Sequence, residues 1–385
     1  MTPSQSAAGK WPATNSVDAS ESIGIGWEIA VARLRHMNDR APRISAFVAF
    51  LLAAVVLHAE PLTGAAVASQ PAGTWATRAN SLPRKVVLGS AVAGFHGPLA
   101  DRLSLMSTLL DQAAAQANQA PGGRGLDLMV FPEFALQRDD ATTASDQAVS
   151  LQGVVLDTLA RKAREHQTWI VAPMTLRERD RISNAAVLVN RSGEVAGIFR
   201  KVHPMIDERG VCEGGVTQGD GYPVFQTDFG RLGILICWDM SYEEAWDALA
   251  AGGAELVALP SASPQTLRPM AQALRHHYFV VNSAPRDNAS IFDPIGRVAA
   301  QITAPGVLVH QIDLAYAILH WSETLHEGRA LTERFGANVG YDYSTREDTG
   351  VFWSNDPQRS IGAMIGELGL REMPESIERM RRRVP

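Results

Sequence analysis

The chain has 385 residues, enough for two average domains or one large one, and its 46% hydrophobic content is ample for a core. A formal charge of −6 leaves no basic footprint for nucleic acid, and the one basic cluster is the short C-terminal run RMRRRVP, which reads as a solvated tail. Two cysteines, Cys212 and Cys237, cannot build a disulfide framework and miss zinc-finger spacing.

Residues 1–82 read as leader and linker, rich in Ser, Ala, Gly and Pro. Within them, 44–57 (ISAFVAFLLAAVVL) is almost wholly apolar, with Arg40 and Arg43 upstream and Ala66-Val67-Ala68 downstream. That is the layout of a secretory signal: basic n-region, apolar h-region, A-x-A site. The run is shorter than the about 20 residues that a membrane span needs. A start at Met37 would make MNDRAPR a normal n-region. The competing reading is a core helix, but the polar flanks leave it little to pack against. Export to the periplasm or a membrane tether through 44–57 is expected, with a cytoplasmic location as the alternative.

From Lys85 the pattern changes. KVVLGSAVAGF predicts a first strand. Residues 101–118 carry Leu103, Met106, Leu109, Leu110 and Ala113 at helical spacing, and LDLMVF (126–131) is a short apolar run suited to a strand buried on both faces. A helix over 153–166 and a strand over 168–176 follow. Three hairpins are marked by turns at Arg191-Ser192-Gly193, at Gly230 and at Pro294-Ile295-Gly296. Between the last two come a helix over 242–251, the strand ELVALP, a helix over 264–277 and the strand YFVVNS. GVLVHQIDL closes the pattern, and 360–382 reads as a helical tail broken near Pro374. Strands alternating with helices, interrupted by hairpins, imply an α/β protein with mixed sheets covered by helices. The expected layout is leader and linker over 1–82, a main domain over 83–320 and a C-terminal extension over 321–385.

Three strand ends carry reactive side chains. LDLMVFPEF ends on Glu133, VAGIFRKVHP on Lys201 and LGILICWD on Cys237. A thiolate is the attacking form of cysteine, yet a free thiol is mostly protonated at neutral pH. A carboxylate beside it could take the proton and later return it to a leaving nitrogen. A fixed ammonium, with the backbone N–H after the nucleophile, would stabilise charge developing on oxygen. The helix start at 241–244 would favour the thiolate through its free N–H groups. Taken singly, each residue has a plainer role: Cys237 a small core hydrophobe, Lys201 a solvated strand end, Glu133 a loop carboxylate.

FPEF, FRKVHP and ICWDMSYEE, in that order, resemble the three signature segments of the nitrilase superfamily, the carbon–nitrogen hydrolases. ELVALPSA, YFVVNS and FDPIGRVAA are also similar to family segments, so the resemblance covers about 85–315. It implies a four-layer α-β-β-α sandwich, commonly paired into homodimers. It implies Cys237 as nucleophile, Glu133 as general base and Lys201 as stabiliser of the tetrahedral intermediate, with the Trp238 N–H at the oxyanion. No metal or organic cofactor is implied. Many members place a second glutamate after the lysine. Here Glu208 is the expected choice, bracketed by Pro204 and Gly214-Gly215, and Glu213 is its competitor. Asp239 is expected to cap the following helix, while Cys212 and Tyr242 read as spectators.

The expected function is hydrolysis of a small non-peptide amide or carbamoyl-type bond through a cysteine thioester. A true nitrilase and an acyl transferase to an amine are the competing enzymes. The non-enzyme alternative is a catalytically inactive scaffold.

Overall fold

The structure, a computed structural model, describes residues 74–119 and 123–383. The apolar run 44–57 and the rest of the leader lie outside these residues. Among the described residues no helix is long and apolar enough to cross a membrane.

In chain order, α1 (Thr74–Ala79) leads to β1 (Lys85–Val92), α2 (Leu99–Gln119), β2 (Leu128–Val130), α3 (Ala144–Gln147), β3 (Val149–Ser150) and α4 (Val154–His166). Three strands follow, β4 (Trp169–Glu178), β5 (Arg181–Val189) and β6 (Val195–Arg200), and then the pair β7 (Val224–Gln226) and β8 (Arg231–Ile234). A short 3-10 helix, Cys237–Ser241, opens onto α5 (Glu243–Ala251). Next come β9 (Leu256–Pro260), α6 (Leu267–His276), β10 (Phe279–Ser283), β11 (Ala289–Phe292), β12 (Val298–Ile302) and β13 (Gly306–Asp313). The C-terminal part holds β14 (Tyr316–His320), α7 (Arg329–Phe335), β15 (Val339–Ser344), β16 (Thr349–Ser354), α8 (Ile361–Glu367) and α9 (Met373–Arg381).

The strands form two mixed sheets and a smaller third. The first runs β13-β1-β2-β4-β5-β6, with β3 added at β4. The second runs β12-β11-β10-β9-β8-β7, and the third β14-β16-β15. Alternation along the first sheet explains the layering, because successive side chains point to opposite faces. Val86, Leu88, Val130, Val171 and Phe199 turn inward to meet Ile234, Leu256 and Val281 of the second sheet. Their neighbours Val87, Ala91, Met129, Ile170 and Ala172 turn outward onto α2 and α4. Trp246 and Leu249 of α5 and Ala273 of α6 cover the second sheet. The result is the expected α-β-β-α sandwich, built from near-continuous apolar runs because both faces of each sheet are covered. Two side chains tie the sheets together: Ser90 Oγ donates to the Asn282 carbonyl at 2.6 Å and Ser283 Oγ to the Ala91 carbonyl at 2.7 Å.

The predicted hairpins occur at β5/β6, β7/β8 and β11/β12. The ends of the chain differ from expectation. Residues 74–79, assigned above to linker, form a helix whose Arg78 is buried: its Nε donates to the Tyr316 carbonyl at 3.1 Å and its guanidinium lies 3.8 Å over the Tyr316 ring. The expected boundary at 320 falls at the end of β14, whose sheet is completed by β15 and β16 from beyond it. The helical tail is interrupted over 368–372, near Pro374 as expected, and Pro374 itself stands in the first turn of α9, where its missing N–H costs nothing.

Candidate active site

Each predicted strand end stops for a local reason. β2 stops at Pro132, which has no N–H for the ladder, and Glu133 occupies the turn beyond. β6 carries inward-facing Phe199, and two residues on Lys201 keeps that face. The Lys201 N–H donates to the Asn184 carbonyl at 2.9 Å, and its own carbonyl accepts from Gly219 N–H at 2.8 Å. β8 stops because Asp239 Oδ2 takes the Ile236 N–H at 3.2 Å. The nucleophile turn is held from below by Trp246, whose Nε1 donates to the Met240 carbonyl at 3.0 Å.

These ends converge between the sheets. Lys201 Nζ donates to Glu133 Oε1 at 2.8 Å, with both side chains about 1% exposed. Glu133 Oε1 also accepts from Asn184 Nδ2 at 2.8 Å, and Oε2 from the Ala262 N–H at 2.9 Å. Cys237 is half-buried and close enough for Glu133, Lys201, Ser261 and the Ala262 N–H to bear on its charge.

The second carboxylate on Lys201 is Glu213, not Glu208. Lys201 Nζ donates to Glu213 Oε1, and Asn184 Nδ2 to Glu213 Oε2 at 2.8 Å. The Met205 N–H also donates to Glu213 Oε1 at 3.0 Å. Glu208 is exposed on a turn pinned by Asp207, whose Oδ1 accepts from the Arg209 and Val211 N–H groups at 2.9 Å each. That turn carries residue 208 outward and returns residue 213 to the lysine.

Backbone strain gathers at the same place. Cys237 (φ 46), Glu213 (φ 36) and Phe134 (φ 60), the neighbour of Glu133, all take left-handed conformations that non-glycine residues seldom adopt. Cys237 itself heads the 3-10 helix, so the Trp238 N–H lies at a helix start, where N–H groups have no intrahelical acceptor.

Electrostatics sets the protonation states. Burial, then the negative charge of Glu133, pushes the Cys237 thiol up to about 12, against the opposing pull of Lys201. The resting sulfur therefore carries its proton, and the helix start does not make it a thiolate. Burial alone would lower Lys201, but the charges of Glu133 and Glu213 hold its ammonium above the ordinary lysine range. Asp239 is fully buried. Burial raises its carboxyl to about 6, while the His203 and Ile236 N–H groups and the charges of Lys201 and His203 pull the other way. It does not cap α5, whose N-cap is Tyr242 with no side-chain bond; it holds the nucleophile turn instead, and its Oδ1 also accepts from the His203 N–H at 2.8 Å. One side chain thus joins the loop after Lys201 to the turn of Cys237. Tyr242 stacks on the His203 ring at 3.5 Å.

Asn184, Ser261 and Ala262 were not singled out from the sequence. A polar residue at an inward position of β5 was the available signal for Asn184. The backbone N–H of Ala262 leaves no trace in residue types.

The family profile described as carbon-nitrogen hydrolase matches residues 68–319. The chain is 27% identical over 136 residues to a probable nitrilase of Schizosaccharomyces pombe, a match covering 34% of this chain and 48% of that protein. It is 28% identical over 228 residues to the deaminated glutathione amidase of Homo sapiens, covering 50% of this chain and 68% of that protein. The chain thus spans about half to two thirds of the length of these relatives. Among solved structures, Saccharomyces cerevisiae Nit3, a member of branch 10 of the nitrilase superfamily, superposes with a TM-score of 0.51 at 19% identity, covering 60% of this chain and 91% of that one. The sandwich and the family profile agree: the chain belongs to the carbon–nitrogen hydrolase family, whose relatives are enzymes of the amidase and nitrilase type.

Proposed function

We propose that the protein hydrolyses a small non-peptide amide or carbamoyl-type C–N bond through a thioester on Cys237. The observation that carries this reading is the buried pair of Lys201 and Glu133, 2.8 Å apart, set beside a protonated thiol. A thiol held this far above neutrality needs its proton removed as it attacks, and Glu133 is the carboxylate within reach. As sulfur bonds to the carbonyl carbon, its proton passes to Glu133 and the carbonyl electrons move to oxygen. Lys201 and the Trp238 N–H stabilise that oxyanion. Glu133 then gives its proton to the nitrogen as the C–N bond breaks, and ammonia or an amine departs. Water, deprotonated by Glu133, cleaves the thioester to the acid and restores the thiol. Glu213 acts as the second glutamate, holding Lys201 in place.

An amide substrate is preferred to a nitrile because the relative matched over half of this chain is named an amidase. The test is a panel of amides, nitriles, ureas and carbamoyl compounds given to purified protein. Amide turnover is expected, with a thioester adduct on Cys237 seen by intact mass and abolished in Cys237→Ser. Turnover of nitriles alone would favour a nitrilase, and product appearing on an added amine an acyl transferase. Folded protein that neither turns over nor labels at Cys237 with an electrophilic amide analogue would leave only the scaffold.

Export through 44–57 and assembly as a homodimer are also proposed. The high thiol pKa suits an oxidising compartment, since oxidation starts from the thiolate. The mass of the mature N-terminus and light scattering test the two points.

A further inference from the structure

In the hydrolase proposed above, two carboxylates share one ammonium. Asn184 on β5 completes the arrangement. Its Nδ2 donates to Glu133 Oε1 and to Glu213 Oε2, both at 2.8 Å. Lys201 Nζ donates to Glu133 Oε1 and to Glu213 Oε1. The four groups close a ring in which each carboxylate meets both donors. Asn184 is 1% exposed, and its Oδ1 has no hydrogen-bond partner among the described residues. Reversing the amide would set that oxygen against two anions, so chemistry dictates the donor orientation. A bare buried acceptor is the cost of aiming the amide nitrogen at both carboxylates.

We propose that Asn184 is a positioning residue that assigns the two oxygens of Glu133 separate tasks. Oε1 accepts from Lys201 and from Asn184. Among the described residues Oε2 accepts one donor, the Ala262 N–H, against two on Oε1, and that N–H also bears on the charge of the Cys237 sulfur. Oε2 is therefore the atom that takes the thiol proton: the S–H bond breaks, an O–H bond forms on Oε2, and the electron pair left on sulfur makes the new bond to carbon. Asn184 fixes this division by its bonds to both carboxylates. It acts through the two glutamates and makes no contact with the reacting atoms. The inference rests on the hydrolase reading, yet the two fail differently.

The test is alkylation of Cys237 by iodoacetamide, followed by peptide mass spectrometry across pH, in the full chain. The variants are Asn184→Ala and Asn184→Ser, the second with a single O–H that reaches at most one carboxylate. Both are expected to label about tenfold more slowly at neutral pH, with the acid limb of the pH profile moved up by about one unit, the size of one hydrogen bond to an ionised group. Labelling at the wild-type rate, or a uniform loss at every pH with the limb unmoved, overturns the positioning role and leaves the hydrolase intact. If neither variant folds, Asn184 serves folding and the inference is overturned. If Cys237 of folded wild-type protein does not label, the hydrolase and the inference both fall.

Discussion

Lys201 is held by two carboxylates that are not equivalent. Glu133 reaches both Lys201 and the sulfur's surroundings, whereas Glu213 meets Lys201, Asn184 and the Met205 N–H. Removing Glu213 leaves the lysine with one anchor and frees it to drift from the oxyanion, whereas Glu208 touches none of these groups. Glu213→Ala is expected to lower kcat/KM by about 100-fold, comparable with losing one oxyanion donor. Glu208→Ala should stay within about twofold, as for a surface change away from the site. Steady-state kinetics of the two variants on the same amide checks this, and the reverse ranking would return the second-glutamate role to Glu208. The sequence could not choose between them, since both lie in one polar loop and differ only in which way the Asp207 turn sends them.

At the level of elements, the site depends on how closely a loop approaches a strand. The segment after Glu213 returns along β6, where Gly219 N–H bonds the Lys201 carbonyl at 2.8 Å. A Cβ on Gly219 would lie 2.0 Å from the Arg200 carbonyl oxygen, a contact that backbone cannot relieve by a rotamer change. Gly219→Ala must therefore push the loop or the strand end aside, moving Lys201 with it. An expected drop in kcat of more than tenfold follows from a misplacement of about 1 Å, together with a lower thermal midpoint. A folded variant with full kcat would show that Lys201 does not need this support. The secondary structure here was legible in advance: β5, β6, β8 and α5 follow from apolar period and turn residues. The close packing of the glycine was not, because it depends on a carbonyl nineteen residues away in the chain.

For the whole molecule, the outer segments of the described residues, α1 and α9, are tied into the fold. Glu372, just before α9, is buried at 4% exposure, accepts from the Ile318 N–H at 3.3 Å and lies 3.8 Å from Arg78 of α1. It thereby joins α9, β14 and α1. Burial raises its carboxyl from 4.5 to about 7, with Arg78 and the Ile318 N–H pulling it down. A carboxyl raised on folding binds its proton more tightly in the folded chain. Its contribution is full below the unfolded value and is lost as pH rises through about 7. The loss amounts to roughly 3 kcal/mol. Glu372→Gln keeps an acceptor for the Ile318 N–H and carries no charge to desolvate. The gap in thermal midpoint between about pH 5 and about pH 8 should therefore narrow in this variant. An unchanged gap would mean that Glu372 is solvated or that the ends do not dock this way.

The order of strands and helices, the mixed sheets covered by helices and the placing of Glu133, Lys201 and Cys237 at strand ends were determined by the sequence itself. Each follows from local periodicity and from residue types that stop a ladder, such as Pro132. Tertiary structure decided the rest: Glu213 over Glu208, the two-sided bond of Asn184, the Ala262 N–H behind Oε2, and the docking of α1 on β14. The last three contacts join residues 51, 129 and 238 positions apart. Separations of that size leave no periodic trace, because two strands from opposite ends of a chain meet only when their apolar faces have already been buried together.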